Sequence, residues 1–365
     1  MLIKLPRATV ICIGIIVVIL LGVLDYHAPP DISFLIFYLP PVLTVTWDAG
    51  LVPGLVLSFL SAVLWFFDDV FGTGVFRNEI TLYWNVFSRF LVFILTVKLI
   101  SSLKERMEKE KLAEQRQVAQ EFEIARQVQL RLLPAYVPQL PGLKLAGICV
   151  PARQVGGDYY DFIPLSSTKL AIAIGDVSGK GLPSALTMAQ LQGMVRSSAY
   201  SFADDPAGMM TLLNRLLIES TDINRFVSFF YGIFDSKLLT FTYVNGGHNP
   251  ALVLRNSGPI LHLSTSGAVL GVNPDAVYRV LSITMKPGDS LVLYTDGITE
   301  ATNNVEEEYG EKRLVQAITK NGVMNMNELC HSILSDVVQF SENVPQQDDM
   351  TLVVFKISDA SKAAA

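Results

Sequence analysis

The stretch IGDVSGKGLPSA, Ile174 to Ala185, decides how this chain is read, because glycines surround a lysine just ahead of a helix-like segment. A phosphate-cradling loop of the G-x-x-x-x-G-K-[ST] type needs enough backbone for successive N–H groups to wrap the phosphates and a hydroxyl to reach Mg2+. This stretch fails on spacing. The first position of that pattern is occupied by Ile174, and Gly181 stands where the hydroxyl residue belongs. The segment leading into it, KLAIAIGDVS, reads as a buried strand, so Asp176 lies where an apolar strand runs into a polar turn.

Three other acidic sites share that placement: Asp158 in QVGGDYYDF, Asp296 in LVLYTDGITEA and Asp348 in QQDDMTLVVF. A single aspartate in a turn is ordinarily a turn former, and Asp235 and Asp275 are read that way. Four at the margins of core strands are different, because sheet margins bring distant residues together and clustered carboxylates need a cation to offset their repulsion. Hard oxygen donors without His or Cys in these motifs point to Mg2+ or Mn2+ rather than zinc.

Around this core the chain is uneven. It has 365 residues, 50% of them hydrophobic, which is too apolar for one soluble domain. The excess lies in residues 1–100, in four apolar runs at Ala8–Leu24, Ile32–Trp47, Leu51–Phe67 and Leu82–Lys98, each near the length that crosses a bilayer. No A-x-A cleavage pattern follows Leu24, so the first run reads as a retained anchor. Lys4 and Arg7 before the runs, and Lys98, Lys104, Arg106, Lys109 and Lys111 after them, place both ends in the cytoplasm of a multi-pass cell-membrane protein. Arg89 inside the fourth run is costly at depth and reads either as functional or as snorkelling to the interface.

Residues 101–133 contain no proline or glycine and read as a helical linker. Val118, Phe122, Ala125 and Leu132 follow coiled-coil spacing with Gln129 at one seam position, so the segment is either a solvated spacer or the helix of a homodimer that transmits a membrane signal. Pro134, Pro138 and Pro141 then open a domain over 134–358, followed by a disordered tail at 359–365. Within it, hairpins are expected around Asp235–Lys237 and Asn256–Gly258, and helices at Pro183–Ala199, Pro206–Glu219, Glu311–Thr319 and Met326–Phe340. Strands and helix pairs alternate without a regular βαβ period, which gives an α+β class. The net charge of −6 and the lack of a basic, aromatic-interleaved block argue against nucleic acid. Cys12, Cys149 and Cys330 form no metal-ligand spacing and no C-x5-R phosphatase loop.

The ordered set ARQVGGDYYDF, GDVSGKGLPSALTMA, NGGHNPALVL, GDSLVLYTDGITEA and DDMTLVVFKI resembles the PPM-type metal-dependent protein serine/threonine phosphatases, in their SpoIIE/RsbU-type branch, over about Ile124 to Ile357. The resemblance implies an α-β-β-α sandwich, two antiparallel sheets flanked by helix pairs, with a binuclear Mn2+ or Mg2+ centre at one end. It implies Asp158 and Asp176 as metal ligands together with the Val177 carbonyl, Asp296 and Asp348 completing one shell, Asp349 as a further ligand or a loop-orienting residue, and Arg153 as the phosphate contact. A metal pair would activate water for direct attack on phosphorus, with no covalent phosphoenzyme. Gly157 departs from the eukaryotic pattern, which has glutamate there. His248 in GGHNP reads as a turn-stabilising residue or a general acid. The implied substrate is a phosphoserine or phosphothreonine on a regulatory protein of the STAS-type anti-sigma-factor-antagonist class. Two rivals remain: a non-catalytic membrane receptor or scaffold retaining the fold, and a nucleotidyl cyclase, which GGDYYDF mimics but which needs Glu at Tyr159 and leaves Asp296 and Asp348 unexplained. Lys180 is expected to face solvent.

Overall fold

The structure is a computed structural model, and it describes residues 5–27, 34–71, 79–221, 225–255, 258–321, 324–342 and 344–358. Lys4, the tip of the hairpin at Asn256–Ser257 and the 359–365 tail lie outside the described residues. The chain divides into two compact units, Met1–Ala119 and Gln120–Ala365.

The first unit is helical: α1 (Arg7–His27), α2 (Leu35–Ala49), α3 (Leu51–Phe71) and the first part of α4 (Glu79–Leu130). Among the described residues, three helices, α1, α3 and α4, contain segments long and apolar enough to cross a membrane. Helix α2 has 15 residues, and at about 1.5 Å rise per residue it falls short of a hydrocarbon core about 30 Å thick. The expectation of four full spans therefore has direct support for three. Arg89 is not left to snorkel alone: its guanidinium lies 3.8 Å from the Asp69 carboxylate and 3.9 Å from the centre of the Trp65 ring, and the Trp65 indole N–H donates to Asp25.

The second unit begins within α4. It continues through β1 (Leu143–Val150), β2 (Tyr159–Pro164), β3 (Lys169–Val177), α5 (Leu182–Ser198), α6 (Pro206–Ser220), β4 (Val227–Asp235), β5 (Thr240–Gly246), β6 (Ala251–Leu254), β7 (Leu261–Leu263), β8 (Leu281–Thr284), β9 (Ser290–Tyr294), α7 (Asp296–Thr299), α8 (Gly310–Asn321), α9 (Met326–Ser341) and β10 (Met350–Ile357). Among the described residues two five-stranded sheets form, in the orders β1-β10-β9-β6-β7 and β2-β3-β4-β5-β8, with the strand pairings antiparallel.

The layers follow from the period-two alternation of strand side chains. On β3, Leu170, Ile172 and Ile174 point into the space between the sheets, where they meet Phe230, Phe241, Leu293, Val353 and Phe355. Ala171 and Ala173 point the other way, onto Met188, Leu191 and Val195 of α5 and Met210 and Leu213 of α6. The other sheet repeats the scheme, with Val292, Leu352 and Val354 packed against Leu314, Ile333 and Val337 of α8 and α9. Strands buried on both faces are apolar throughout, and their small outward residues admit the helices. Proline in the first turn of α5 and of α6 pre-sets the helical φ, and Asp205 caps α6 by accepting the Gly208 N–H at 2.9 Å.

Candidate active site

Register alone brings the first two carboxylates together. Tyr159 pairs with Gly175, so Asp158 and Asp176, one step beyond, face each other where β2 begins and β3 ends. In the other sheet Leu352 pairs with Tyr294, which sets Asp296 after β9 beside Asp348 and Asp349 before β10. The two sheets are joined at that end by hydroxyls: Thr295 and Thr351 donate to Asp158 Oδ2 at 2.8 and 2.6 Å. All five aspartates singled out in the sequence therefore occupy one end of the sandwich.

Their electrostatics reflect that crowding. Asp158 is 2% exposed, and burial followed by repulsion from Asp176 holds its carboxyl well above the usual range. Burial, then the charges of Asp296, Asp348 and Asp349, pushes Asp176 up to about 7. Burial and Asp348 raise Asp296, which sits at the first position of α7. As they stand, no three Asp, Glu, His or Cys side chains among the described residues converge closely enough to hold an ion. The reason is visible in their partners: Asp158 is turned to the two threonines, Asp348 to Lys180, and Asp349 to backbone amides.

Asp349 accepts the N–H groups of Ala152 at 2.7 Å, Gly157 at 2.6 Å and Asp158 at 3.4 Å, so its carboxylate organises the 152–158 loop. The two glycines there are needed for space. A Cβ at Gly156 would lie 2.3 Å from Asp349 Oδ2, and one at Gly157 would lie 2.8 Å from the Val177 carbonyl oxygen. The glutamate of the eukaryotic pattern does not fit this backbone, which resolves the departure noted at Gly157. Arg153, on the same loop, is exposed and has no hydrogen bond or ion pair among the described residues; its guanidinium lies beside Gly181.

Several functional contacts escaped sequence reasoning. Gln129, near the end of α4, is buried and uses both ends of its amide on one residue, donating to the Gly156 carbonyl at 2.7 Å and accepting the Gly156 N–H at 3.0 Å. The residue read as a seam position thus grips the site loop. Lys180 lies 2.7 Å from Asp348 Oδ2 and donates to the Gln347 carbonyl at 2.6 Å, so it bridges two loops instead of simply facing solvent. Thr295 and Thr351 lie inside recognised motifs, but nothing local marks their aim. His248 is buried, and its Nδ1 lies 2.8 Å from the Ser228 hydroxyl. Its backbone is held by Asn245, and burial lowers its pKa to about 4. A neutral imidazole locked in a turn suits the turn-stabilising reading.

The family pattern of Stage II sporulation protein E (SpoIIE) matches residues 166–358. The chain belongs to the SpoIIE family. Phosphoserine phosphatase RsbU of Bacillus subtilis is 31% identical over 244 residues, covering 66% of this chain and 71% of RsbU. Protein IcfG of Synechocystis sp. is 29% identical over 259 residues, covering 64% of this chain and 41% of IcfG. The chain thus spans less than half the length of IcfG. The SiaA-PP2C domain of Pseudomonas aeruginosa superposes with a TM-score of 0.61 over 67% of this chain and 98% of that one, at 18% identity, and it shares the SpoIIE-family fold of two antiparallel sheets flanked by helices. The α+β sandwich expected from the motifs is therefore the fold observed.

Proposed function

We propose that the chain is a metal-dependent protein serine/threonine phosphatase of the SpoIIE family that acts in signalling and is anchored in a membrane through its first unit. The observation that carries this reading is the gathering, at one end of the sandwich, of Asp158 and Asp176 from one sheet and Asp296, Asp348 and Asp349 from the other, near enough for their charges to act on Asp176. The donor set fits hard divalent cations, because every side-chain donor is an oxygen, and the burial and mutual repulsion that raise Asp158, Asp176 and Asp296 are what a bound cation offsets.

Asp158, Asp176, Asp296 and Asp348 would hold a pair of Mn2+ or Mg2+ ions with the Val177 carbonyl, which turns toward Gly157. Asp349 would act on the loop or join the ligand set. Such ions supply an activated water and offset charge on the phosphoryl oxygens. The chain's own part is positioning. Thr295 and Thr351 fix the Asp158 carboxylate, Asp349 fixes the loop, and Arg153, without a hydrogen bond or ion pair among the described residues, presents a guanidinium suited to bidentate contact with a phosphate.

The relative named a phosphoserine phosphatase favours a phosphoserine or phosphothreonine substrate, and the family resemblance favours a STAS-type protein as its bearer. Exposed Val118, Ile124 and Val128 on α4 favour pairing of two copies through residues 101–133. The substrate class is tested by following phosphate release from a phosphorylated STAS protein and from short phosphoserine peptides. A kcat/KM no higher for the protein than for the peptides would remove the STAS assignment.

A further inference from the structure

Among the described residues, Lys180 is the cation in contact with the carboxylate cluster. It stands between Gly179 (φ 93°) and Gly181 (φ 84°), a backbone path that glycine adopts readily and that throws the lysine across the mouth of the site. Its ammonium reaches Asp348 Oδ2 at 2.7 Å and the Gln347 carbonyl at 2.6 Å. The other oxygen, Asp348 Oδ1, accepts the Asp349 N–H at 2.9 Å, and Gln346 donates to the Asp348 carbonyl at 2.7 Å. Asp348 is thereby held toward the lysine on a braced loop. The positive charge also acts on Asp296 and Glu300, lowering each against the effect of burial.

We propose that Lys180 is a built-in counter-cation of the phosphatase site: it occupies Asp348 when divalent ions are scarce and must be displaced from Asp348 before that carboxylate can turn onto an ion. This rests on the metal-site reading above. An ammonium held 2.7 Å from Asp348 Oδ2 repels a divalent ion approaching the same carboxylate and competes with it for that negative charge. Two consequences follow. Lys180 weakens ion binding, so the site fills only above a threshold supply, and ion binding releases the ammonium.

The test uses the full chain in detergent micelles. Free Mn2+ is followed by electron paramagnetic resonance during titration of the wild type, Lys180→Gln, Lys180→Arg and Asp176→Asn. Lys180→Gln should bind Mn2+ about fivefold more tightly, the scale of a partly exposed ion pair, while Lys180→Arg stays near the wild type. In parallel, acetylation of the Lys180 amine, read by mass spectrometry, should quicken when the wild type is saturated with Mn2+. Unchanged or weaker binding in Lys180→Gln, or Lys180 labelling indifferent to Mn2+, would overturn the role of the lysine while leaving the metal site intact. Wild-type binding no greater than that of Asp176→Asn would overturn the metal-site reading and the proposal with it.

Discussion

Thr351 donates a 2.6 Å hydrogen bond to Asp158, a residue 193 positions earlier in the chain and in the other sheet. With Thr295 on the same oxygen, it fixes a carboxylate that burial would otherwise leave unsupported. Hydrogen bonds that orient metal ligands typically matter tenfold to a hundredfold in affinity or activity. Thr351→Val should lower Mn2+ affinity or kcat by about that much, and Thr295→Val should act in the same direction. Titration of activity against Mn2+ checks this, and a Thr351→Val variant indistinguishable from the wild type would remove the threonine from the site.

Gln129 ties the end of α4 to Gly156 by two hydrogen bonds. Gln129→Ala leaves a buried N–H and C=O on Gly156 without those partners, at a cost of about 1–3 kcal/mol. Denaturant midpoints should fall accordingly, and the Gly156 amide should exchange faster in deuterium. Protection unchanged at Gly156 would show that the helix end does not hold the loop.

Arg196 on α5 grips the fully buried Asp161 of β2 with two bonds, Nε to Oδ2 at 2.7 Å and Nη2 to Oδ1 at 2.9 Å, while Tyr159 donates to the same carboxylate at 2.9 Å. Removing one partner strands a buried charge. Arg196→Ala should destabilise by about 3 kcal/mol, the lower end for buried pairs because the arginine is half in water. Arg196→Ala with Asp161→Asn should recover part of that loss, and a double-mutant cycle on unfolding free energies measures it.

Burial holds His248 at about 4, below its ordinary value near 6.5. The unfolded chain therefore binds the extra proton first as pH falls, so this contribution to stability is complete above about 6.5 and is lost on the way down through about 4. It amounts to roughly 3 kcal/mol over the whole window. Unfolding measured from pH 7.5 to pH 5 should show a shallower pH slope in His248→Asn than in the wild type; equal slopes would mean that the imidazole is not held neutral.

Much of the fold was legible because the signals were local. KLAIAIGDV alternates large and small apolar residues, which sets both the sandwich core and the helix-facing layer, and the four expected helices lie within three residues of those observed. The five aspartates were legible because each interrupts or borders an apolar run. What escaped depends on distance in the chain. Strand β8 has no buried run, since its residues are exposed or half-exposed at a sheet edge. The aims of Lys180, Gln129 and Thr351 depend on partners 168, 27 and 193 residues away, and no periodicity encodes them.

The most direct measurement is hydrolysis of p-nitrophenyl phosphate by the full chain with Mn2+, for the wild type, Asp176→Asn and Asp296→Asn. The expected result is Mn2+-dependent turnover that EDTA abolishes and that falls at least about a hundredfold in both variants, the loss of one ion's transition-state charge stabilisation. Turnover by the variants equal to that of the wild type, or wild-type turnover untouched by EDTA, would contradict a phosphatase centre built on these carboxylates.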